Sequence, residues 1–227
     1  MQRPRTSSAL QLVLAVLVGV LAVAVLVNRD DPTPVIAGDS LVTEAVGETG
    51  NALRGTKVVA AIGHDICQDR KQIERAGRRR PRRIVLAYTG NAYTEQVRKA
   101  VLASGAQGLG LVYANCLRDI RAAVPDAVQL VVVQALACGP GDLHGSPIFN
   151  AYLRTATLGG TYPSGVRVPP MTNASYSTAV DDRMTPRHRY RDRDSGGLLR
   201  TGDKLHLTPY GATVYADVLR RLATTEH

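Results

Sequence analysis

The sequence predicts a three-layer α/β/α sandwich around a parallel sheet of about five strands, and three observations carry that prediction. Short apolar runs closed by glycine recur along the chain, at Val35 to Gly38, Lys57 to Gly63 and Arg83 to Gly90. Segments with helical spacing lie between them, and alternation of strand with helix is the pattern of a parallel sheet covered on both faces. Each run is short, apolar and closed by glycine, as strands buried on two faces tend to be.

The first segment stands apart from this pattern. From Ala9 to Val27 the chain carries no charge, and at about 1.5 Å rise per residue a helix there spans roughly 28 Å, close to the ~30 Å hydrocarbon core of a bilayer. A cleaved signal peptide has an apolar region of about 7–15 residues and a small-x-small cleavage site. Here the run ends Val27-Asn28-Arg29-Asp30, so it reads as an uncleaved transmembrane signal anchor. Residues 1–8 are then a cytoplasmic tail, 9–27 the membrane span, 28–34 a linker and 35–227 the folded domain. Arg3 and Arg5 precede the span, while Arg29 beyond it is offset by Asp30 and Asp31. The positive-inside bias therefore predicts a single-pass cell-membrane protein with its domain extracytoplasmic.

Within the domain, Thr94 is placed to cap a helix with Val97, Val101 and Leu102 on one face. A second helix, from Ala106 to the stopping Pro125, carries Leu109, Val112, Cys116, Ile120 and Val124 at helical spacing. Ala127 to Ala137 reads as the fourth strand, Ser146 to Gly160 as a helix, and Gly165 to Pro170 as a short fifth strand. The stretch from Met171 to Gly202 is polar, Arg-rich and without period, so it reads as a long loop of the kind that often carries function. Thr208 caps the final helix, with Pro209 at its first position and Val214, Val218 and Leu222 along one face.

The 227 residues allow one core of ordinary size beyond the anchor. A net charge of +9 and a pI near 9.8 suggest an acidic partner, with the cations grouped at Arg75 to Arg83 and Arg187 to Arg193. Nucleic acid is the first class such runs suggest. An outward-facing domain meets anionic lipid headgroups and acidic envelope polymers instead, and solvated loops are the plain alternative. Three cysteines in an oxidising compartment allow one disulfide. Cys67 and Cys138 both follow predicted strands at one sheet edge, whereas Cys116 falls inside a helix. Cys67–Cys138 is thus the favoured pair, although spacing leaves the other pairings open.

Two short segments carry the chemistry. Gly38-Asp39-Ser40-Leu41 ends the first strand, and Asp203-Lys204-Leu205-His206-Leu207 precedes the last helix. Gly-Asp-Ser is ordinary turn chemistry, but three residues apart Asp203 and His206 lie on the same side of a turn. A carboxylate there receives the imidazole Nδ1–H and leaves Nε2 to act as a base. Ser40 and His206 both fall at the carboxyl edge of the predicted sheet, where sites form in open parallel sheets. His64 is a further candidate for the pocket wall. His144, His188 and His227 have no ligand spacing, and no HExxH or paired-cysteine motif occurs, so no metal is expected. No Gly-x-Ser-x-Gly elbow occurs either.

The chain resembles the SGNH (GDSL-type) hydrolases in its first and last blocks, over roughly Val35 to Ala223. The resemblance implies a flavodoxin-like parallel sheet, Ser40 as nucleophile, and a triad completed by His206 and Asp203. It also implies an oxyanion hole formed by the Ser40 N–H, the Gly63 N–H and the Asn91 side chain. The third block departs from the family's Gly-x-Asn-Asp, since Gly90 adjoins Asn91 and Ala92 follows. The activity implied is that of an extracytoplasmic serine esterase without cofactor, acting on a small-molecule, lipid or glycan ester. Alternatives are an O-acyltransferase on envelope polysaccharide or glycolipid, and a non-catalytic binding domain.

Overall fold

The computed structural model describes residues 30–49, 53–89, 95–136, 147–184, 191–203 and 206–225, together with Val13 and Val16. The chain divides into two compact units, Met1–Asp31 and Pro32–His227. Most of the predicted membrane span lies outside the described residues, and the fold below is that of the second unit.

Seven strands and six helices follow one another along this unit among the described residues. They are β1 (Val35–Gly38), α1 (Ser40–Thr49), β2 (Lys57–Ala60), α2 (Ile66–Gly77), β3 (Arg83–Ala87) and α3 (Glu95–Ala123). Then come β4 (Gln129–Val133), α4 (Pro147–Leu158), β5 (Gly160–Thr161), β6 (Arg167–Val168), β7 (Ala174–Ser177), α5 (Ala179–Met184) and α6 (Pro209–Thr224). Five of the strands form one parallel sheet in the order β2-β1-β3-β4-β7. In β1, Gly38 is in register with Ala60 on one side and Ala87 on the other. The C-terminal ends of the three strands thus share one edge.

Alternation of side chains along the strands divides the core into two layers. Val35, Ala37, Ile84, Leu86, Leu130 and Val132 face α2, α3 and α4, where Ile73, Leu109, Leu117 and Phe149 are buried. Ile36, Val85, Val131 and Val133 face α1, α5 and α6, against Leu41, Val42, Val180, Tyr215 and Leu219. This is the three-layer sandwich that the apolar runs predicted. The two helices expected across residues 94–125 run on as one element, α3, with non-helical backbone at Gly105 (φ 56°, ψ −139°) marking the break between them.

Two expectations are corrected. The strand expected near Gly165 to Pro170 forms only β6, paired antiparallel with β5 outside the main sheet. The fifth sheet strand is β7, Ala-Ser-Tyr-Ser, which lies in the segment read as loop; α5 and a turn over 191–198 lie there too. As a half-buried edge strand, β7 lacks the apolar run that marks a central one. The second correction concerns the disulfide, which joins Cys67 to Cys116 rather than Cys138, with Cα atoms 5.4 Å apart. Cys67 stands in the first turn of α2 and Cys116 on the face of α3 that packs against it, so helix packing, not the sheet edge, brings the sulfurs together. Cys138 lies outside the described residues.

Candidate functional site

Ser40 is the first residue of α1, reached directly from β1 through Asp39. The turn is tight: a Cβ on Gly38 would stand 2.3 Å from Val42 Cγ2 and 2.5 Å from the Ala87 carbonyl oxygen, so only glycine fits. Asp39 is buried, its Oδ1 accepting the Leu41 N–H at 3.1 Å. Its Oδ2 accepts both the Thr89 N–H at 2.7 Å and the Thr89 hydroxyl at 2.5 Å. One carboxylate thereby begins the helix and ties it to the end of β3. Burial raises the Asp39 pKa above the ordinary carboxylate value, and the Thr89 and Leu41 hydrogen bonds oppose that shift. Ser40 itself sits where the partial positive charge of the α1 N-terminus is greatest.

The second half of the site comes from the segment before α6. Asp203 Oδ2 lies 2.5 Å from His206 Nδ1, and its Oδ1 accepts the His206 N–H at 3.0 Å and the Thr201 hydroxyl at 2.5 Å. One carboxylate thus meets the ring at Nδ1 and the backbone at the His206 N–H. Arg200 bridges Leu207, and Thr208 accepts the Gly211 N–H as the helix cap. At Gly211 a Cβ would meet the Leu199 carbonyl oxygen at 1.9 Å, so a side chain there would push this segment off the helix.

What sequence reasoning missed is Glu44. Its Oε1 lies 3.7 Å from His206 Nε2, and its Oε2 accepts the Leu207 N–H at 2.9 Å. Glu44 is one turn beyond Ser40 on α1, so the two side chains share a helix face. The imidazole thus lies beside the side chain of Glu44, four residues along α1 from Ser40. Among the described residues its hydrogen-bond and ion-pair partners are Asp203 and Glu44, not the Ser40 hydroxyl. The Ser40-x-x-x-Glu44 spacing was the available signal, but only the tertiary fold gives the glutamate a partner. The His206 pKa is raised above its ordinary value, first by the Asp203 hydrogen bond and then by the Glu44 charge, with partial burial working against both.

Gly63 lies in a turn closed by the His64 N–H on the Ala61 carbonyl at 3.3 Å, with φ +75° at the glycine. Nothing lies within 4 Å of where its Cβ would be, so backbone conformation, not crowding, calls for glycine there. His64 Nδ1 lies 2.7 Å from Oδ1 of the buried Asp69, whose Oδ2 accepts the Tyr88 hydroxyl at 3.0 Å. The Gly63 turn is in this way fastened to the end of β3. Asn91 lies outside the described residues.

Among the described residues, no group of three or more His, Cys, Asp or Glu is placed to hold a metal ion. A cavity of about 330 Å³ opens between α5 and α6, lined by Ala179, Arg183, Val218, Arg221 and Leu222 among others. Among the described residues, none of the predicted site residues lines it.

No family model matches this chain. No curated protein matches it either. Solved structures do. A Streptococcus pneumoniae protein assigned, provisionally, as a platelet activating factor aligns over 92 % of this chain and 99 % of its own, with 13 % identity and a TM-score of 0.52. The C-terminal catalytic domain of peptidoglycan O-acetyltransferase A from Streptococcus pneumoniae, solved with a methylsulfonyl adduct, aligns over 83 % of this chain and 90 % of its own. It shows 14 % identity and a TM-score of 0.49. At such identities the likeness is one of fold: a parallel five-stranded α/β sandwich.

Proposed function

We propose that this chain is a membrane-anchored, extracytoplasmic serine esterase of the SGNH type, with Ser40 as nucleophile, His206 as base and Asp203 as its orienting carboxylate. The observation that carries the reading is the Asp203–His206 pair, whose imidazole lies against Glu44, four residues along α1 from Ser40. A serine hydroxyl is a poor nucleophile at neutral pH, and a positioned base contributes typically about 10²–10⁴-fold.

In this mechanism Ser40 Oγ attacks the ester carbonyl carbon while its proton passes to His206 Nε2. The tetrahedral oxyanion is stabilised by the Ser40 and Gly63 N–H groups and by the Asn91 side chain. Collapse of the intermediate breaks the bond to the leaving alcohol, which takes the proton from His206. Water then attacks the acyl-Ser40 carbonyl, giving its proton to His206, and the acid departs as Ser40 is reprotonated. Loss of one oxyanion donor costs about 3–4 kcal/mol in comparable chemistry. No cofactor takes part.

A second reading keeps the acyl-enzyme and passes it to a sugar hydroxyl of the envelope. It is favoured by the openness of the base: the side chains of His206 and Asp203 are 48 % and 49 % exposed, leaving room for an extended acceptor. The test is hydrolysis of p-nitrophenyl acetate and octanoate by the unit from Pro32 onward, compared with Ser40→Ala and His206→Ala. Loss of activity in both variants supports the acyl-enzyme chemistry. Acceptor sugars that raise turnover and divert the acyl group from free acid favour transfer. A folded wild type inactive towards both esters, with or without acceptors, would move the reading to a binding domain.

A further inference from the structure

The exposed cations that lead into the sheet share one pole of the domain. Arg54 and Lys57 stand before and at the start of β2, and Arg78, Arg79, Arg80 and Arg82 fill the connection from α2 to β3; all six are exposed. Arg83 does not belong with them. It is buried, donating from Nε to Gln129 Oε1 at 2.7 Å and from Nη1 to the Leu222 carbonyl at 2.5 Å. In a parallel sheet the strand starts share one edge and the strand ends the other. The six cations therefore lie on the opposite edge from Ser40 and Gly63, about 15 Å away along β3 at ~3.3 Å per residue.

The chain enters the domain at this same pole. The Pro32 carbonyl accepts the Arg82 N–H at 3.1 Å, and the Pro34 carbonyl accepts the Lys57 N–H at 2.8 Å. In sequence only Asn28 to Asp31 separate Pro32 from the end of the uncharged run at Val27. That leaves at most about 17 Å of extended chain between them. The cations outnumber the two carboxylates of that stretch, Asp30 and Asp31.

We infer that this arginine-rich pole docks on the anionic headgroups of the bilayer that holds the N-terminal run, so that the site at the opposite pole faces away from that bilayer. The inference rests on reading residues 9–27 as the anchor and is independent of the chemistry at Ser40. Clusters of about four to eight Lys or Arg on the cytoplasmic side of a membrane segment bind anionic lipid through the surface potential, and the same attraction acts at an outward leaflet that carries anionic headgroups, fading within a Debye length of about 8 Å at physiological salt. The short tether keeps the cluster near that range. A patch at this pole cannot hold the headgroup of a substrate seated at Ser40, so the cations serve orientation rather than catalysis. The ester that reaches the site then belongs to an envelope glycan or soluble compound beyond the bilayer, not to the lipids of the host leaflet.

The test is arginine modification by phenylglyoxal, read by peptide mass spectrometry, on the full chain in nanodiscs of neutral lipid or with about one-third phosphatidylglycerol. Arg78, Arg79 and Arg82 should be protected several-fold in the anionic discs only, the protection vanishing at 0.5 M salt, while Arg191 and Arg193 react alike in both. Arg78→Glu/Arg79→Glu should abolish protection at Arg82, and Arg78→Lys/Arg79→Lys should keep it, with melting temperature showing that each variant is folded. Equal modification in the two lipids overturns the docking surface, as does protection by a soluble acidic polysaccharide but not by the discs. A chain that fails to enter discs removes the anchor reading. The same labelling with anionic vesicles added to that soluble chain then decides the patch by itself.

Discussion

Glu44 Oε1 lies 3.7 Å from His206 Nε2, while the other oxygen of the same carboxylate holds the Leu207 N–H at 2.9 Å. The glutamate thus has two separable effects: it fixes the segment behind the histidine and it stabilises the imidazolium. Glu44→Gln keeps an acceptor for Leu207 and removes the charge. Because the His206 pKa is raised, first by Asp203 and then by Glu44, the neutral base accumulates only above the ordinary histidine value near 6.5. Ester hydrolysis should rise with pH through that raised value. In Glu44→Gln the acid limb should move to lower pH with the plateau largely kept, whereas Glu44→Ala should also lower the plateau. An acid limb unmoved by Glu44→Gln would remove the glutamate from the electrostatics of the base.

Asp203→Asn tests orientation separately from shape. The amide offers Nδ1 a donor or a poorer acceptor, so the ring turns to the wrong tautomer and kcat should fall about 10³–10⁴-fold with KM nearly unchanged. Folding should respond to pH as well. A histidine pKa raised in the folded state adds stability that is complete below the unfolded value and is lost as pH rises through the folded one. Both side chains are about half exposed, so solvent screening keeps the gain small. Urea unfolding at pH 5.5 and 8.5 should show a slightly smaller difference in Asp203→Asn than in the wild type.

The parts of this molecule legible in the sequence are those set by local pattern. Strands β1, β3 and β4 announce themselves as apolar runs because both their faces are buried; β2, half-exposed at the sheet edge, still carries the run Val58-Val59-Ala60, and Asp203 with His206 can be paired because three residues of chain fix their spacing. Strand β7 could not be read, since Ala174 to Ser177 carry no apolar run. Cys67 meets Cys116 through the packing of α2 on α3, and Glu44 meets Leu207 through the packing of α1 beside the histidine segment. Neither contact leaves a trace in local spacing. The Arg75 to Arg83 run shows the same limit from the other side: as a group of cations it suggests an acidic partner or solvated loops, yet Arg83 is buried and bonded across the sheet.

Asp39 should matter more for stability than its place beside the nucleophile suggests. Asp39→Ala leaves the buried Thr89 N–H and the Leu41 N–H without their acceptor. Loss of charged hydrogen bonds in a buried setting costs about 2–4 kcal/mol. At roughly 2–4 °C per kcal/mol for a domain of this size, calorimetry should show a fall of about 5–15 °C. A fall under 2 °C would mean that water replaces the carboxylate and that the link from β1 to β3 is not structural.

The disulfide closes a sequence separation of 49 residues, for which loop-closure entropy gives about 4 kcal/mol. Cys67→Ser/Cys116→Ser should therefore lose about 2–4 kcal/mol in urea unfolding, with ester hydrolysis per folded molecule retained at low temperature. In the unfolded wild type, thiol titration should find one free thiol per chain, since three cysteines are present and two are paired. Three thiols would mean that the bridge is absent from the protein as isolated.

Asp192 holds together the turn that leads to the histidine segment. Its buried carboxylate accepts from Arg183 Nε at 2.9 Å and Nη2 at 3.3 Å, from the Ser195 hydroxyl at 2.7 Å and from the Tyr210 hydroxyl at 2.6 Å. Tyr210 lies in the first turn of α6, so this one residue joins α5, the 191–198 turn and the helix that follows His206. The Arg183 hydrogen bond is the main reason that its pKa lies well below the ordinary carboxylate range. A carboxylate with a depressed pKa adds stability that is present above the unfolded value, about 3.9, and is lost as pH falls toward the folded one. Asp192→Ala removes a buried partner and should cost about 3–5 kcal/mol at pH 7. The difference from the wild type should shrink as unfolding is measured at pH 5, 3.5 and 2.5. Because the 191–203 segment carries Asp203, the folded variant should also lose kcat while Ser40 and His206 remain intact. A stability loss constant across that pH range would assign the effect to packing and not to the ion pair.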